Sequence, residues 1–365
     1  MKILYIVHAF NYGGIEQYIL NTVDGINRDK YEIEVLSTAH PHLVPQAPEL
    51  KQRNIPLYTF HSPKRSSQIR EWNTLLKQGQ YDIVHIQGMP NTGVLYLLTG
   101  RIISPRTKWI IHAHMGHRSF NAKKGIKALA LKLGYHATNL LYRMLANVRA
   151  GCSHEAMQIH FGNHIEKKGL VLNNGIALAR FRTGRRNKVD SRNLVCVARI
   201  TDVKNPYFLI DVVEILASRN TEWHLTWVGT GIWEDAVRQC IKERKLEHHI
   251  TLLGARKDIP SILHQHSIFL LASLYEAIPL TLIEAQAAGC ICVSSTAPPK
   301  AVDCGALIRL PLELGAAEWA RRIENLYENS TEMFIDEEKL SHFDIHQTAV
   351  QVEKLYDSLC TTNRK

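Results

Sequence analysis

Two carboxylates and two cations in the second half of the sequence have the spacing of a binding site. Seven residues separate Glu276 from Glu284 in Ser273-Leu274-Tyr275-Glu276-Ala277-Ile278-Pro279-Leu280-Thr281-Leu282-Ile283-Glu284-Ala285. Glu276 follows an apolar run that reads as a strand. Glu284 falls on the helix that Pro279 opens, among Leu280, Leu282, Ile283, Ala285, Ala287 and Ala288. A carboxylate in such company needs donors, and sugar hydroxyls are suitable ones; a capping acid plus an exposed acid is the plainer alternative. Arg199 and Lys204 stand five apart between the end of one strand and the helix that Pro206 begins. Such a pair can clamp a diphosphate, Arg by a two-pronged contact and Lys as a point charge, or can be two solvated loop cations. A further feature, Asn11-Tyr12-Gly13-Gly14-Ile15-Glu16, follows the first strand and opens a helix. Its glycines let the backbone approach a ligand, and the helix N-terminus offers free N–H groups to an anion; a tight turn alone also accounts for it.

The elements that must hold these residues alternate short apolar runs with longer amphipathic ones, the pattern of parallel sheets flanked by helices. In the first half, strands are expected at Ile3–Val7, Glu32–Leu36, Ile83–Ile86, Trp109–His112, Val148–Cys152 and Leu170–Leu172, with helices near Ile15–Ile26 and Lys124–Leu145. Polar, basic Phe181–Arg192 reads as a linker. The alternation then restarts, with strands at Asn193–Ala198, His224–Val228, Ile250–Leu253, Ile268–Ala272 and Cys290–Ser294. Helices are expected near Tyr207–Ala217, Trp233–Arg244 and Leu280–Ala288, and the tail Gln347–Leu359 has helical spacing. The economical arrangement is two α/β lobes, with substrates bound beyond the carboxyl ends of the strands in the cleft between them.

Bulk properties narrow the class. The chain has 365 residues, enough for two domains, and its 45% hydrophobic and 21% charged content is that of a globular protein. The opening run MKILYIVHAF is cut short by Asn11, Gly13 and Gly14, so a buried strand is expected rather than a signal peptide or membrane span, and a cytoplasmic protein with it. Seven cysteines are scattered, and Cys290 and Cys292 have only one residue between them, a poor match to a redox or zinc site; neither disulfide nor structural metal is expected. Residues 1–180 hold 22 Lys and Arg against 10 Asp and Glu, whereas residues 181–365 hold 22 against 24. This asymmetry points to an anionic partner for the first half: nucleic acid, anionic lipid or a phosphate-bearing acceptor. The stretch His117–Leu145, with Arg118, Lys123, Lys124, Lys127, Lys132 and Arg143 among leucines, is either a basic amphipathic helix resting on anionic lipid or a core helix with a solvated basic face.

These residues resemble the retaining glycosyltransferases of the large GT-B class commonly numbered family four, in particular the capsular and exopolysaccharide branch. The matches run in order along nearly the whole chain: Gly13-Gly14-Ile15-Glu16, Asp82-Ile83-Val84-His85, His112-Ala113-His114, Asn174-Gly175-Ile176, Arg199 through Lys204, Gly229, Leu253 through Ile259, Glu276 through Glu284, and Glu-Ala-Gln-Ala-Ala-Gly at 284–289. The resemblance implies two Rossmann-like domains with parallel sheets facing across a cleft. An acceptor-binding domain would span 1–175 and a nucleotide-sugar domain 176–345, the helix at 346–365 packing back on the first. It implies that Arg199 and Lys204 hold the donor diphosphate with the backbone at Gly14. Glu284 would bind the ribose, Glu276 the donor sugar, and the loop with Gly254, Arg256 and Ile259 the base. Ile278, Pro279 and Leu280 would help read the sugar. His114 would face the reacting sugar or acceptor, with His85, His112, Gly13 and Arg118 as further acceptor contacts, although a packed, structural histidine is the usual role for His85 or His112. Three departures bear on the donor loop: Ala198 and Ala277 where glycine is common, and Ala301 where an acidic residue is common. Alanine does not take a positive φ cheaply, so altered loop geometry is expected.

The implied reaction moves a hexose or N-acetylhexosamine, with retention, from a UDP- or GDP-sugar to a lipid-linked saccharide in capsule, exopolysaccharide or O-antigen synthesis. The leaving diphosphate would be stabilised by Arg199, Lys204 and helix N-termini, without cofactor or metal, in keeping with the lack of any Asp-x-Asp. Peripheral contact with the inner face of the cell membrane is expected, and nucleic acid is not. The alternative is a non-catalytic GT-B protein that binds a nucleotide sugar or a protein partner.

Overall fold

The computed structural model describes residues 1–10, 14–39, 47–88, 93–114, 126–162, 169–182 and 187–361, with side chains of the longest helix described from Leu133 onward. Contacts divide the chain into two compact units, Met1–Gly175 together with Ile345–Lys365, and Ile176–Asp344.

The first unit alternates strand and helix. In order come β1 (Lys2–Val7), α1 (Gly14–Gly25), β2 (Glu32–Ser37), α2 (Pro48–Gln52), β3 (Leu57–Thr59), α3 (Arg65–Gly79), β4 (Ile83–Gln87) and α4 (Gly93–Ile103). Then follow β5 (Lys108–Ala113), α5 (Ile126–Leu145), β6 (Val148–Gly151), α6 (His154–Phe161) and β7 (Gly169–Val171). The seven strands form one sheet in the order β3-β2-β1-β4-β5-β6-β7, every pairing parallel. In β1, β2 and β5 every residue after the first is buried, because helices cover both faces and continuous apolar runs are the only stable filling. β4 (IVHIQ) and β5 (KWIIHA) break this rule with His85, Gln87 and His112 near their carboxyl ends.

The second unit repeats the scheme: β8 (Asn187–Lys188), β9 (Asn193–Val197), α7 (Pro206–Arg219), β10 (His224–Val228), α8 (Glu234–Glu243), β11 (Ile250–Leu252), α9 (Ile259–His264) and β12 (Ile268–Leu271). It continues with α10 (Leu280–Ala287), β13 (Ile291–Ser294), β14 (Leu307–Arg309), α11 (Gly315–Glu328), β15 (Glu332–Met333) and α12 (Glu337–Ser341). Its parallel sheet runs β11-β10-β9-β12-β13-β14, and β15 and β8 form a small antiparallel pair. The last helix, α13 (Ile345–Thr361), belongs to the first unit, where Val352, Leu355 and Tyr356 join the core formed by β1, β2 and α1.

Expected strands and helices appear within a residue or two of their sequence limits, but several elements escape the pattern. α3 buries only Trp72 and Leu76, too sparse a stripe to announce a helix. The linker expected at Phe181–Arg192 is corrected by the described part of that segment. Phe181 and Val189 are buried in the second unit's cores, β8 pairs with β15, and Ser191 Oγ lies 3.1 Å from Ser267 Oγ. Polar composition hid two apolar anchors. The seven cysteines are free thiols.

Candidate functional site

In each parallel sheet the strand order reverses beside the sheet's first strand in sequence, between β1 and β4 and between β9 and β12. Loops leaving the carboxyl ends of such neighbours diverge to opposite faces and open a crevice. The second unit's candidate residues sit on these two loops.

After β9 the chain carries exposed Arg199, passes through a short 3₁₀ turn at Asp202–Lys204 and enters α7 at Pro206. After β12 it carries buried Ser273 and half-buried Glu276, and Pro279 caps α10. Topology thus brings together Lys204 and Glu276, 72 residues apart in sequence: the Lys204 ammonium donates to Glu276 Oε1. Ser273 Oγ donates to the same oxygen at 2.6 Å. The frame behind them is hydrogen-bonded as well. Leu274 N–H donates to the Val203 carbonyl at 2.8 Å, and Ser295 Oγ to the Ser273 carbonyl at 2.6 Å. The Lys204 and Glu276 side chains are 19% and 10% exposed, so the pair is largely withdrawn from water and removing either partner strands a desolvated charge. Arg199 has no ion-pair partner among the described residues.

Glu284 lies on α10 as expected. Burial pushes its carboxyl up to about 7, and the Arg180 guanidinium pulls it partly back. No described residue donates a hydrogen bond to it, so a half-buried carboxylate stands ready for an outside donor. The loops after β10 and β11 are joined, Gly229 N–H donating to the Gly254 carbonyl at 2.8 Å. Gly229 has φ 134°, and a Cβ there would stand 2.2 Å from the Ala198 carbonyl oxygen; only glycine fits. Arg256 is engaged by Asp258 in a two-pronged pair of 2.8 and 2.6 Å, and Ile259 begins α9. Ile278, Pro279 and Leu280 are half-buried or buried, and Ile278 and Leu280 pack into the core beneath α10. None of Ala198, Ala277 and Ala301 takes a positive φ, the conformation that alanine adopts only at a cost.

The first unit answers with neutral groups. His85, Gln87 and His112 are buried, and His114, one residue beyond β5, is 9% exposed. The rings form a column: Tyr5 stacks on His85 (centroids 5.1 Å), His85 on His112 (5.4 Å), and His112 lies 4.0 Å from His114, with Tyr18 of α1 against both His112 and His114. Tyr356 of α13 reaches in to bond His85 Nδ1 at 2.9 Å and the Tyr5 hydroxyl at 2.7 Å. His114 Nε2 meets Gln87 Oε1 at 2.6 Å. Burial drives His85 and His112 well below the usual histidine range and His114 down to about 3, so the column is uncharged at neutral pH. Among the described residues His85 Nε2, both nitrogens of His112, His114 Nδ1, Gln87 Nε2 and the Tyr18 hydroxyl have no hydrogen-bond partner. Of the three histidines expected to meet an acceptor, His85 and His112 are enclosed and only His114 has exposed surface. Gly14 is the first residue of α1, and a Cβ there would meet nothing within 4 Å. Gly13 and Arg118, with Lys123 and Lys124, lie outside the described residues.

Over its described side chains α5 departs from the reading as a core helix with a solvated basic face. Its described buried face is Tyr135, Asn139 and Tyr142, whereas Leu133 (61%), Leu140 (53%) and Met144 (70%) are exposed, with Ala137 between them and Arg143 alongside. The outward face is apolar where a purely solvated face would be polar. Among the described residues no helix is long and apolar enough to cross a membrane, and no three His, Cys, Asp or Glu side chains are grouped to hold a metal ion.

Sequence reading missed Ser273, Ser295, Arg180, Gln87, Tyr18 and Tyr356. Ser273 alone had a local signal, three residues before Glu276 on the same turn; the others arrive from distant segments.

Comparison with known proteins bears on both units. Residues 13–175 match the family described as glycosyl transferase 4-like domain, and residues 191–329 that described as glycosyl transferases group 1. The capsular polysaccharide biosynthesis glycosyltransferase CapH of Staphylococcus aureus is 25% identical over 371 residues, covering 98% of this chain and 99% of CapH. The UDP-Gal:alpha-D-GlcNAc-diphosphoundecaprenol alpha-1,3-galactosyltransferase of Escherichia coli is 25% identical over 244 residues, 60% of this chain and 59% of that one. The crystal structure of Anabaena Alr3699/HepE in complex with UDP and glucose superposes with a TM-score of 0.75 at 17% identity, covering 98% of this chain and 100% of that one. With both units matched in sequence and the whole chain matched in fold, the protein belongs to the group 1 glycosyltransferases and is a glycosyltransferase of the GT-B fold.

Proposed function

We propose that this glycosyltransferase moves a hexose or N-acetylhexosamine from a UDP-sugar to a lipid-linked saccharide, with retention of anomeric configuration, in the synthesis of a capsular polysaccharide, exopolysaccharide or O-antigen unit. The observation that carries the reading is the meeting of Lys204 and Glu276 at the reversal of the second sheet, beside exposed Arg199 and the unpartnered Glu284. It supplies cations for a diphosphate and carboxylates for hydroxyls, the two chemistries a nucleotide sugar presents. The names of CapH, of the Escherichia coli galactosyltransferase and of the UDP complex support the pathway class, the lipid-diphosphate acceptor and the nucleotide.

In this reading Arg199 and Lys204 take the diphosphate, neutralising the charge that grows on its oxygens as the glycosidic bond breaks, and no metal ion takes part. Glu276 accepts from donor-sugar hydroxyls, Glu284 from the ribose, and the Gly254–Ile259 loop holds the base. His114 faces the reacting sugar or acceptor as a neutral group, with His85 and His112 packed behind it. The acceptor hydroxyl attacks from the face the diphosphate leaves. The test is release of UDP or GDP from a panel of nucleotide sugars, with Lys204→Ala and Glu276→Ala as controls. Release from one donor, lost in both variants, supports the reading; release that persists in both contradicts it.

The exposed stripe of α5, set in the basic half of the chain, supports a cytoplasmic enzyme resting on the inner face of the membrane, with lipid rather than nucleic acid as the anionic partner. Sedimentation with vesicles should show preference for anionic over zwitterionic lipid, weakened by Leu140→Glu; equal or absent binding contradicts it.

A further inference from the structure

Glu276 receives two hydrogen bonds on one oxygen and, among the described residues, none on the other. Ser273 Oγ and the Lys204 ammonium both donate to Oε1. Two donors converging on one carboxylate oxygen fix the rotation of the whole group and leave the second oxygen's lone pairs for an incoming hydroxyl. Ser273 is well placed for this task. It lies two residues beyond β12, after buried Ala272, and is itself fully buried, with its carbonyl held by Ser295 Oγ at 2.6 Å. The next residue, Leu274, is tied to Val203, the neighbour of Lys204. The serine therefore stands on the rigid sheet side of an otherwise exposed turn, Leu274 and Tyr275 being 44% and 47% exposed.

We propose that Ser273 is a positioning residue for donor recognition: it locks the Glu276 carboxylate on the Lys204 side through Oε1 and so presents Oε2 to a hydroxyl of the donor sugar. The inference rests on the assignment of Glu276 to the donor sugar and of Lys204 to the diphosphate. It separates two parts of the ligand. Loss of the serine frees the carboxylate that reads the sugar, while Lys204 and Arg199 remain available to the diphosphate. A serine that merely stabilised the turn would affect both parts alike.

The experiment is calorimetric titration of wild-type protein and Ser273→Ala with UDP and with the UDP-sugar that supports UDP release, accompanied by melting temperatures and by kcat and KM. For Ser273→Ala the expected result is roughly tenfold weaker binding of the UDP-sugar, the scale of one hydrogen bond to a charged group. UDP affinity should stay within about twofold, on the same scale, and kcat should fall. Ser273→Thr, which keeps the hydroxyl, should recover most of the UDP-sugar affinity. Equal weakening for UDP and UDP-sugar, or no change for either, overturns the proposal. Wild-type protein that binds UDP-sugar no better than UDP overturns the assignment of Glu276 to the sugar, and binding of neither ligand overturns the donor site as a whole; the proposal falls with either.

Discussion

The two sheets end in opposite electrostatics. At the carboxyl ends of β9 and β12, charges of both signs lie within contact of each other, Lys204 on Glu276, with Arg199 exposed nearby and Glu284 held near its point of ionisation. At the carboxyl ends of β4 and β5, burial has silenced every titratable ring: His85, His112 and His114 are neutral and meet tyrosines and a glutamine rather than ions. The same topology thus offers a charged half, suited to a group that leaves as an anion, and a neutral half, suited to hydroxyls. A parallel sheet prescribes where a site lies, while the residues at the strand ends decide what it binds.

The sharpest way to break this contrast is to remove the cation. Lys204→Ala should lower transfer roughly 10²- to 10³-fold, the scale of one preorganised charge on a developing anion, and it should leave Glu276 buried without its partner. UDP release measures this, and a loss of under tenfold would move the anion site elsewhere.

Acid should separate the halves next. The folded-state pKa of each column histidine is depressed, so above about pH 6.5, the unperturbed histidine value, neither the folded nor the unfolded state holds the proton. Below it the unfolded chain binds protons that the folded column refuses, and stability falls. For His114, with a folded value of about 3, the loss at pH 5 is about 2 kcal/mol, and His85 and His112 add to it. Urea midpoints at pH 7.5 and 5 measure the slope, and His112→Phe should reduce it. That variant also removes a ring with two unpartnered nitrogens, so at pH 7.5 it should be stabilising by about 1 kcal/mol.

Glu284 should respond with the opposite sign. Its folded pKa is raised to about 7, so its contribution is fully present below the unfolded carboxyl value, about 4.3, and is lost as pH rises through 7. Glu284→Gln should therefore be more stable than wild type at pH 8 by about 1–3 kcal/mol and show less decline with rising pH, while binding nucleotide more weakly. Melting temperatures from pH 5 to 8 for both proteins check it; a variant less stable at pH 8 would show that the carboxylate is better solvated than its surroundings imply.

Legibility in the sequence follows the range of the contacts. Glu276, Pro279 and Glu284 could be placed because strand, turn and helix follow one another within a dozen residues, and Pro206 marked the helix after Lys204 in the same local way. The meeting of Lys204 with Glu276 was legible as a shared site, not as an ion pair, since 72 residues intervene. Tyr356, which bonds His85 from 271 residues away, left no local trace, and Gln87 fell one residue past the strand expected at Ile83–Ile86. The leucines of α5 left two readings open because their spacing fits a core face or a lipid-facing one; Tyr135 and Tyr142 take the core role, and Leu133 and Leu140 face outward.

In the proposed site Lys204 serves the donor diphosphate while Glu276 still holds it, so removing the Glu276 charge leaves the ammonium wholly to the diphosphate. Titration of Glu276→Gln with UDP tests it most directly. UDP should bind Glu276→Gln roughly tenfold tighter than wild type, the scale of one charge-assisted contact released, and sugar transfer should be lost. UDP binding that is unchanged or weaker in Glu276→Gln would contradict it.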